Sequence, residues 1–118
     1  MRYILLIYDR ESEWAALSEK DRGQLFSEYM SFTDGIRKSG HYVAGDPLQP
    51  TSSATTVRVR NGKPVSTDGP FAETREQLGG YYIIKAKDVD EATSIAARIP
   101  SARLGSIEVR PIQEMGGA

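Results

Sequence analysis

The chain has 118 residues, 39% of them hydrophobic, with a formal charge of −1 and no cysteine; it fits one domain spanning residues 1–118, large enough for a core without disulfide staples. Fifteen basic and sixteen acidic side chains are interleaved without a basic block, which argues against direct nucleic-acid binding, and the absence of cysteine excludes disulfides and thiolate metal sites. No apolar run approaches the roughly 18 residues of a bilayer span, and the N-terminal stretch has no small-residue cleavage site, so a cytoplasmic protein with no membrane role is expected.

Residues 2–8 (Arg2-Tyr3-Ile4-Leu5-Leu6-Ile7-Tyr8) read as a strand apolar on both faces and therefore central in its sheet. A polar break follows at 9–13, then a helical turn or packed loop at Trp14-Ala15-Ala16-Leu17. Ser18 and Asp21 have capping spacing and open a helix to about Ser39, with Leu25, Phe26, Tyr29, Met30, Phe32, Thr33 and Ile36 as its inward stripe and Gly40 as its stop. Residues 41–48 form a short strand ending at Asp46-Pro47, and 49–53 a loop. The runs 54–60 and 63–67 flank Asn61-Gly62, a strong hairpin signal. Tyr81-Tyr82-Ile83-Ile84-Lys85-Ala86 is a further strand. Asp88 and Glu91 cap a helix running through Ile99 to Pro100, residues 107–112 form a closing strand, and 114–118 is expected to fray.

With the hairpin set aside, the order is βαββαβ, the split-βαβ pattern of ferredoxin-like α+β folds. Two helices then cover one sheet face. The other face calls for a second copy, giving a homodimer, or for the N-terminal loop and hairpin folded over it.

Between hairpin and strand lies an elbow, Asp68-Gly69-Pro70-Phe71-Ala72-Glu73. Gly69 and Pro70 set a sharp corner, Pro70 suits the start of a helical turn that Gly79-Gly80 would close, and Phe71 is expected to be buried as its plug. Asp68 either caps this turn or serves as a functional carboxylate. His41, the only histidine, is either an exposed polar residue or a proton-transfer group; alone it cannot build a multi-histidine zinc site. Arg58 and Arg110 offer planar forks for an anionic or phenolic ligand, or ion pairs to Glu108 and Asp68. Tyr8, Tyr42, Tyr81 and Tyr82 supply hydroxyls and aromatic walls, or core and interface. No phosphate loop, dinucleotide fingerprint or nucleophile elbow occurs, so no cofactor and no metal is expected.

The segment Asp68-Gly69-Pro70-Phe71-Ala72-Glu73-Thr74-Arg75-Glu76-Gln77-Leu78-Gly79-Gly80-Tyr81-Tyr82, with Tyr3–Tyr8, Gly45–Leu48, Thr55–Arg58 and Gly105–Ile112, closely resembles the DGPF branch of the YCII-related family. The resemblance implies a dimeric ferredoxin-like α+β barrel. Shorter relatives carry a His in the first helix and an Asp before a Pro after the second, an acid/base dyad; one relative is an aromatic-ring dehydrochlorinase. Here those positions fall near Glu28 or Tyr29 and at Ile99-Pro100, so neither dyad member carries over. Fusion of DGPF domains to sigma-factor-like modules implies a sigma-factor-related protein partner. Two readings follow. One is a dimeric small-molecule- or protein-binding module linked to transcription initiation. The other is a cofactor-free enzyme on a small aromatic or anionic substrate, with Asp68 as the carboxylate, His41 or a Tyr as proton partner, and Arg58, Arg110, Tyr8, Phe71 and Tyr82 around the ligand.

Overall fold

The computed structural model describes residues 1–115. The chain runs β1 (Arg2–Asp9), α1 (Glu11–Ala16), α2 (Glu19–Lys38), β2 (Tyr42–Pro47), β3 (Thr55–Arg60), β4 (Lys63–Asp68), β5 (Gln77–Lys85), α3 (Val89–Ala96) and β6 (Ser106–Pro111). β2, β5, β1 and β6 form one antiparallel sheet in that order, and β3 pairs only with β4. The four-stranded order with α2 and α3 between its strands is the ferredoxin-like α+β arrangement expected from the sequence.

Strand β1 sets the core through its pleat. Tyr3, Leu5, Ile7 and Asp9 are buried, while Arg2, Ile4, Leu6 and Tyr8 between them are half-buried. The buried phase meets Tyr82 and Ile84 of β5, Phe32 and Ile36 of α2, and Ile95 and Ile99 from α3 and the turn after it. Both helix starts are capped as their spacing predicts: Ser18 Oγ accepts from the Asp21 N–H at 3.1 Å, and Asp88 Oδ1 from the Glu91 N–H at 2.9 Å. The β3–β4 turn has Asn61 at φ 52° and Gly62 at φ 74°, the paired positive angles of a type I′ hairpin.

Several expectations are corrected. The polar break is helical from Glu11, giving α1, which contains no buried residue. Phe26 and Met30, placed in the inward stripe of α2, are 67% and 58% exposed. The second long helix ends at Ala96, and a separate 3-10 turn follows at Pro100–Arg103 because proline cannot continue the hydrogen-bond ladder. The 49–53 loop closes in a 3-10 turn at Thr51–Ser53. The elbow forms no helical turn, and Phe71 is 79% exposed, so it plugs nothing within its own chain. Gly79 and Gly80 lie inside β5 rather than ending a helix. A Cβ on Gly80 would stand 3.1 Å from the Asp46 carbonyl, so glycine here serves the close approach of β2. Glu114 is tied to Arg2 by two hydrogen bonds of 2.9 and 3.0 Å; of the expected frayed end, residues 116–118 lie outside the described residues.

The hairpin projects from the body. All of β4 and all but one residue of β3 are exposed, and the radius of gyration is 16.4 Å against about 13 Å for a compact chain of this length. Among the described residues no helix is long and apolar enough to cross a membrane.

Candidate ligand-binding cavity

A cavity of about 850 Å³ opens between α1 and α2 on one side and the β1, β5 and β2 strands on the other. Its walls are mainly apolar and aromatic, with Trp14, Phe26, Tyr29, Met30, Tyr42 and Tyr82 prominent. This explains the exposure of Phe26 and Met30: they face the cavity, not the core. Tyr82 is fixed on three sides. Its ring lies edge-on to Phe32 with centroids 5.2 Å apart and to Tyr42 at 6.4 Å, and its hydroxyl is 2.6 Å from Thr33 Oγ1.

One buried polar group belongs to the wall. Asp9 continues the inward phase of β1 and is 7% exposed. Its Oδ2 accepts from Trp14 Nε1 at 2.7 Å and from Ser101 Oγ at 3.1 Å. Ser101, fully buried in the 3-10 turn after Pro100, accepts in turn from the Tyr29 hydroxyl at 2.5 Å. A tyrosine on α2 and the serine after Pro100 are thus linked to a strand carboxylate. The other acidic groups on the wall are differently placed. Both Glu11 oxygens accept from Thr51, from its N–H and its hydroxyl at 2.7 and 2.8 Å, which staples α1 to the 49–53 loop. Asp46 is exposed and accepts from the Tyr81 hydroxyl at 2.9 Å.

Burial pushes the Tyr29 hydroxyl up to about 12, against the opposing pull of its bond to Ser101, and burial likewise raises Tyr82. A tyrosine in the unfolded chain ionises near 10, so the unfolded state loses these protons first as pH rises. Urea midpoints are therefore expected to show the full contribution of these groups below pH 10 and its progressive loss toward pH 12, with a shallower fall in Tyr29→Phe. A midpoint unchanged through pH 11 would contradict this burial.

Of the candidate site residues named from the sequence, Tyr82 lines the cavity, as do Tyr42 and Tyr81, while the others lie elsewhere. Asp68 ends β4 on the hairpin, exposed, with Arg58 on the neighbouring strand and Phe71 just beyond. Tyr8 lies half-buried in the outward phase of β1, and Arg110 is exposed on β6, bonded to Glu108. His41 sits at the α2–β2 junction, with Nδ1 2.7 Å from Ser39 Oγ and Nε2 3.4 Å from Glu91 Oε1. The elbow carboxylate, the histidine and the two arginines therefore do not converge. Asp9, Trp14 and Ser101 were not among the candidates; the period-two phase of Tyr3, Leu5, Ile7 and Asp9 was the one local signal for the first of them.

A ferredoxin-like α+β body with a cavity between its helices and sheet defines the class of protein. The sequence matches the YCII-related domain over residues 1–116, and the chain belongs to that family. It is similar to an uncharacterised protein of Rhizobium meliloti (strain 1021), 35% identical over 114 residues that cover 95% of this chain and 92% of the relative. Among solved structures it resembles the 5-chloro-2-hydroxyhydroquinone dehydrochlorinase of Burkholderia phenoliruptrix AC1100 in complex with 2,5-dihydroxybenzoquinone. That match has a TM-score of 0.56 at 15% identity and covers 96% of this chain and 94% of the other. At that identity the likeness concerns the fold.

Proposed function

We propose that this YCII-related chain is a small-molecule-binding module whose ligand occupies the cavity between α1–α2 and the sheet, and that it works as a homodimer. The cavity carries the reading: about 850 Å³, within the range of small-molecule sites, with aromatic walls and few polar groups. The dimer is supported by the outward sheet face, where Ile4, Leu6 and Ile83 are half-buried with no helix over them, and by the exposed Val57, Val59 and Val65 of the hairpin. A second copy covers both.

Trp14, the sole tryptophan, lines the cavity and reports its occupancy. Titration with 1-anilinonaphthalene-8-sulfonate is expected to quench Trp14 saturably at one dye per chain. Ala15→Phe, which places a ring in the cavity wall, is expected to weaken binding at least tenfold at near-unchanged melting temperature. Non-saturating quenching, or tight binding by the filled variant, would remove the cavity reading; light scattering that finds a monomer would remove the dimer.

A second reading, a cofactor-free enzyme acting on a small aromatic or anionic substrate, draws on one observation: the dehydrochlorinase that shares the fold was solved with a hydroxylated quinone. Asp68 lies outside the cavity, so such chemistry there would need another carboxylate. Recovery of a cavity ligand chemically unchanged after prolonged incubation favours binding over turnover.

A further inference from the structure

We propose that Asp9 selects the cavity's ligand, its free Oδ1 accepting a hydrogen bond from the hydroxyl of a neutral aromatic guest. The inference rests on the binding reading above and goes beyond it by naming the anchor and the chemical class.

The hydrogen-bond chain around Asp9 is one-sided. Tyr29 spends its single hydroxyl proton on Ser101, Ser101 spends its own on Asp9 Oδ2, and the Trp14 N–H goes to the same oxygen. No donor among the described residues reaches Oδ1 within hydrogen-bond distance, although the side chain is more than nine-tenths buried. No side-chain oxygen among the described residues is fully enclosed without a partner, so Oδ1 opens on the cavity, and a guest that supplies a donor is favoured over one that strips water from it without replacing the bond. Gly79, also on the wall, lies beside this oxygen; a Cβ there would stand 3.4 Å from Oδ1, in ordinary contact.

The surroundings narrow the class. Trp14, Phe26, Tyr29 and Tyr82 give flat, apolar walls suited to an aromatic ring. No cation among the described residues pairs with Asp9, yet two line the same cavity. Arg22 donates to the Leu17 and Ala15 carbonyls, and Arg37 lies 4.6 Å over the Tyr42 ring. Against them stand the carboxylates of Asp9, Glu11 and Asp46 on the same lining, so the walls carry no strong net charge to hold an ion. A neutral hydroxyl supplies the donor Oδ1 lacks without taking a charge out of water. Tyr29, protonated to about 12 by burial, keeps Ser101 committed to Oδ2 throughout the neutral range, which leaves Oδ1 for the guest.

The test uses 2-naphthol and its methyl ether, 2-methoxynaphthalene, which share a ring system but differ in the donor. Calorimetric titration of the wild-type chain is expected to favour 2-naphthol by ten- to a hundredfold, the range of a hydrogen bond to a charged group. In Asp9→Asn the amide oxygen still accepts from Trp14 and Ser101 while its NH2 faces the cavity. The naphthol preference is expected to vanish or invert, with the ether bound as before. Equal wild-type affinities for the two compounds, or a preference that survives in Asp9→Asn, would overturn the role of Asp9 and leave the cavity reading standing. Failure of the wild-type chain to bind either compound would overturn both. The wild-type comparison decides the matter even where the variant folds poorly.

Discussion

Gly105→Ala is expected to destabilise the chain by about 3 kcal/mol or more, lowering the melting temperature by about 10 °C. Gly105 lies between the 3-10 turn at Pro100–Arg103 and the first residue of β6, and its N–H donates to the Ser101 carbonyl at 2.8 Å. A Cβ at this position would overlap the Tyr8 carbonyl oxygen and stand 3.0 and 3.1 Å from Cα and Cβ of Asp9. The obstacles are backbone in the central strand, so no rotamer change relieves them. β6 would have to withdraw from β1 at the Tyr8–Ser106 pair, moving Ser101 and Asp9 with it. Loss of stability and loss of cavity binding should therefore appear together. A melting temperature within two degrees of wild type, measured by calorimetry, would show that the two segments are less tightly apposed.

Tyr82→Ala should cost about 3–5 kcal/mol, and Tyr82→Phe only about 1. The ring is 8% exposed and touches Phe32 and Tyr42 edge-on. Opposite it, β2 has glycine at position 45, where any Cβ would collide with the ring. Removing the ring therefore leaves a void that neither strand can close, because the facing residue has no side chain to advance into it. The phenylalanine variant keeps the packing and loses only the bond to Thr33, whose hydroxyl lies near the cavity and can turn to water. Urea unfolding of the pair separates the two effects. If phenylalanine cost as much as alanine, the hydroxyl bond and not the packing would hold this wall.

The sequence is legible where one short stretch contains its own cause. The pleat of residues 2–8, the caps at Ser18 and Asp88 and the Asn61-Gly62 turn involve neighbours within a few positions, and the sheet order follows from the succession of elements. The elbow was only half legible. Gly69 takes φ 103°, as a sharp corner requires, but whether Phe71 is buried depends on what lies opposite it, which local chemistry does not encode. The cavity wall was hidden for the same reason. Ser101 and Asp9 are 92 positions apart, and Ser101 reads locally as the residue after a helix-ending proline. Asp9 ends a strand and Trp14 begins a turn, and their bond follows only once α1 folds back over β1. Tyr29 and Phe26 share a helical stripe, yet one reaches a buried serine and the other faces open space. Periodicity assigns a face to each; it does not show that the face is hollow.

The bare hairpin has a consequence for how the chain unfolds. A two-stranded ribbon that shields almost no apolar area adds little cooperativity of its own and is marginal in isolation. Within one chain the cooperative unit is the four-stranded body with its helices, which supplies most of the surface newly wetted on unfolding and so most of the denaturant sensitivity. The ribbon can fray and re-form without disturbing it, at an ordering cost set by whatever it rests against.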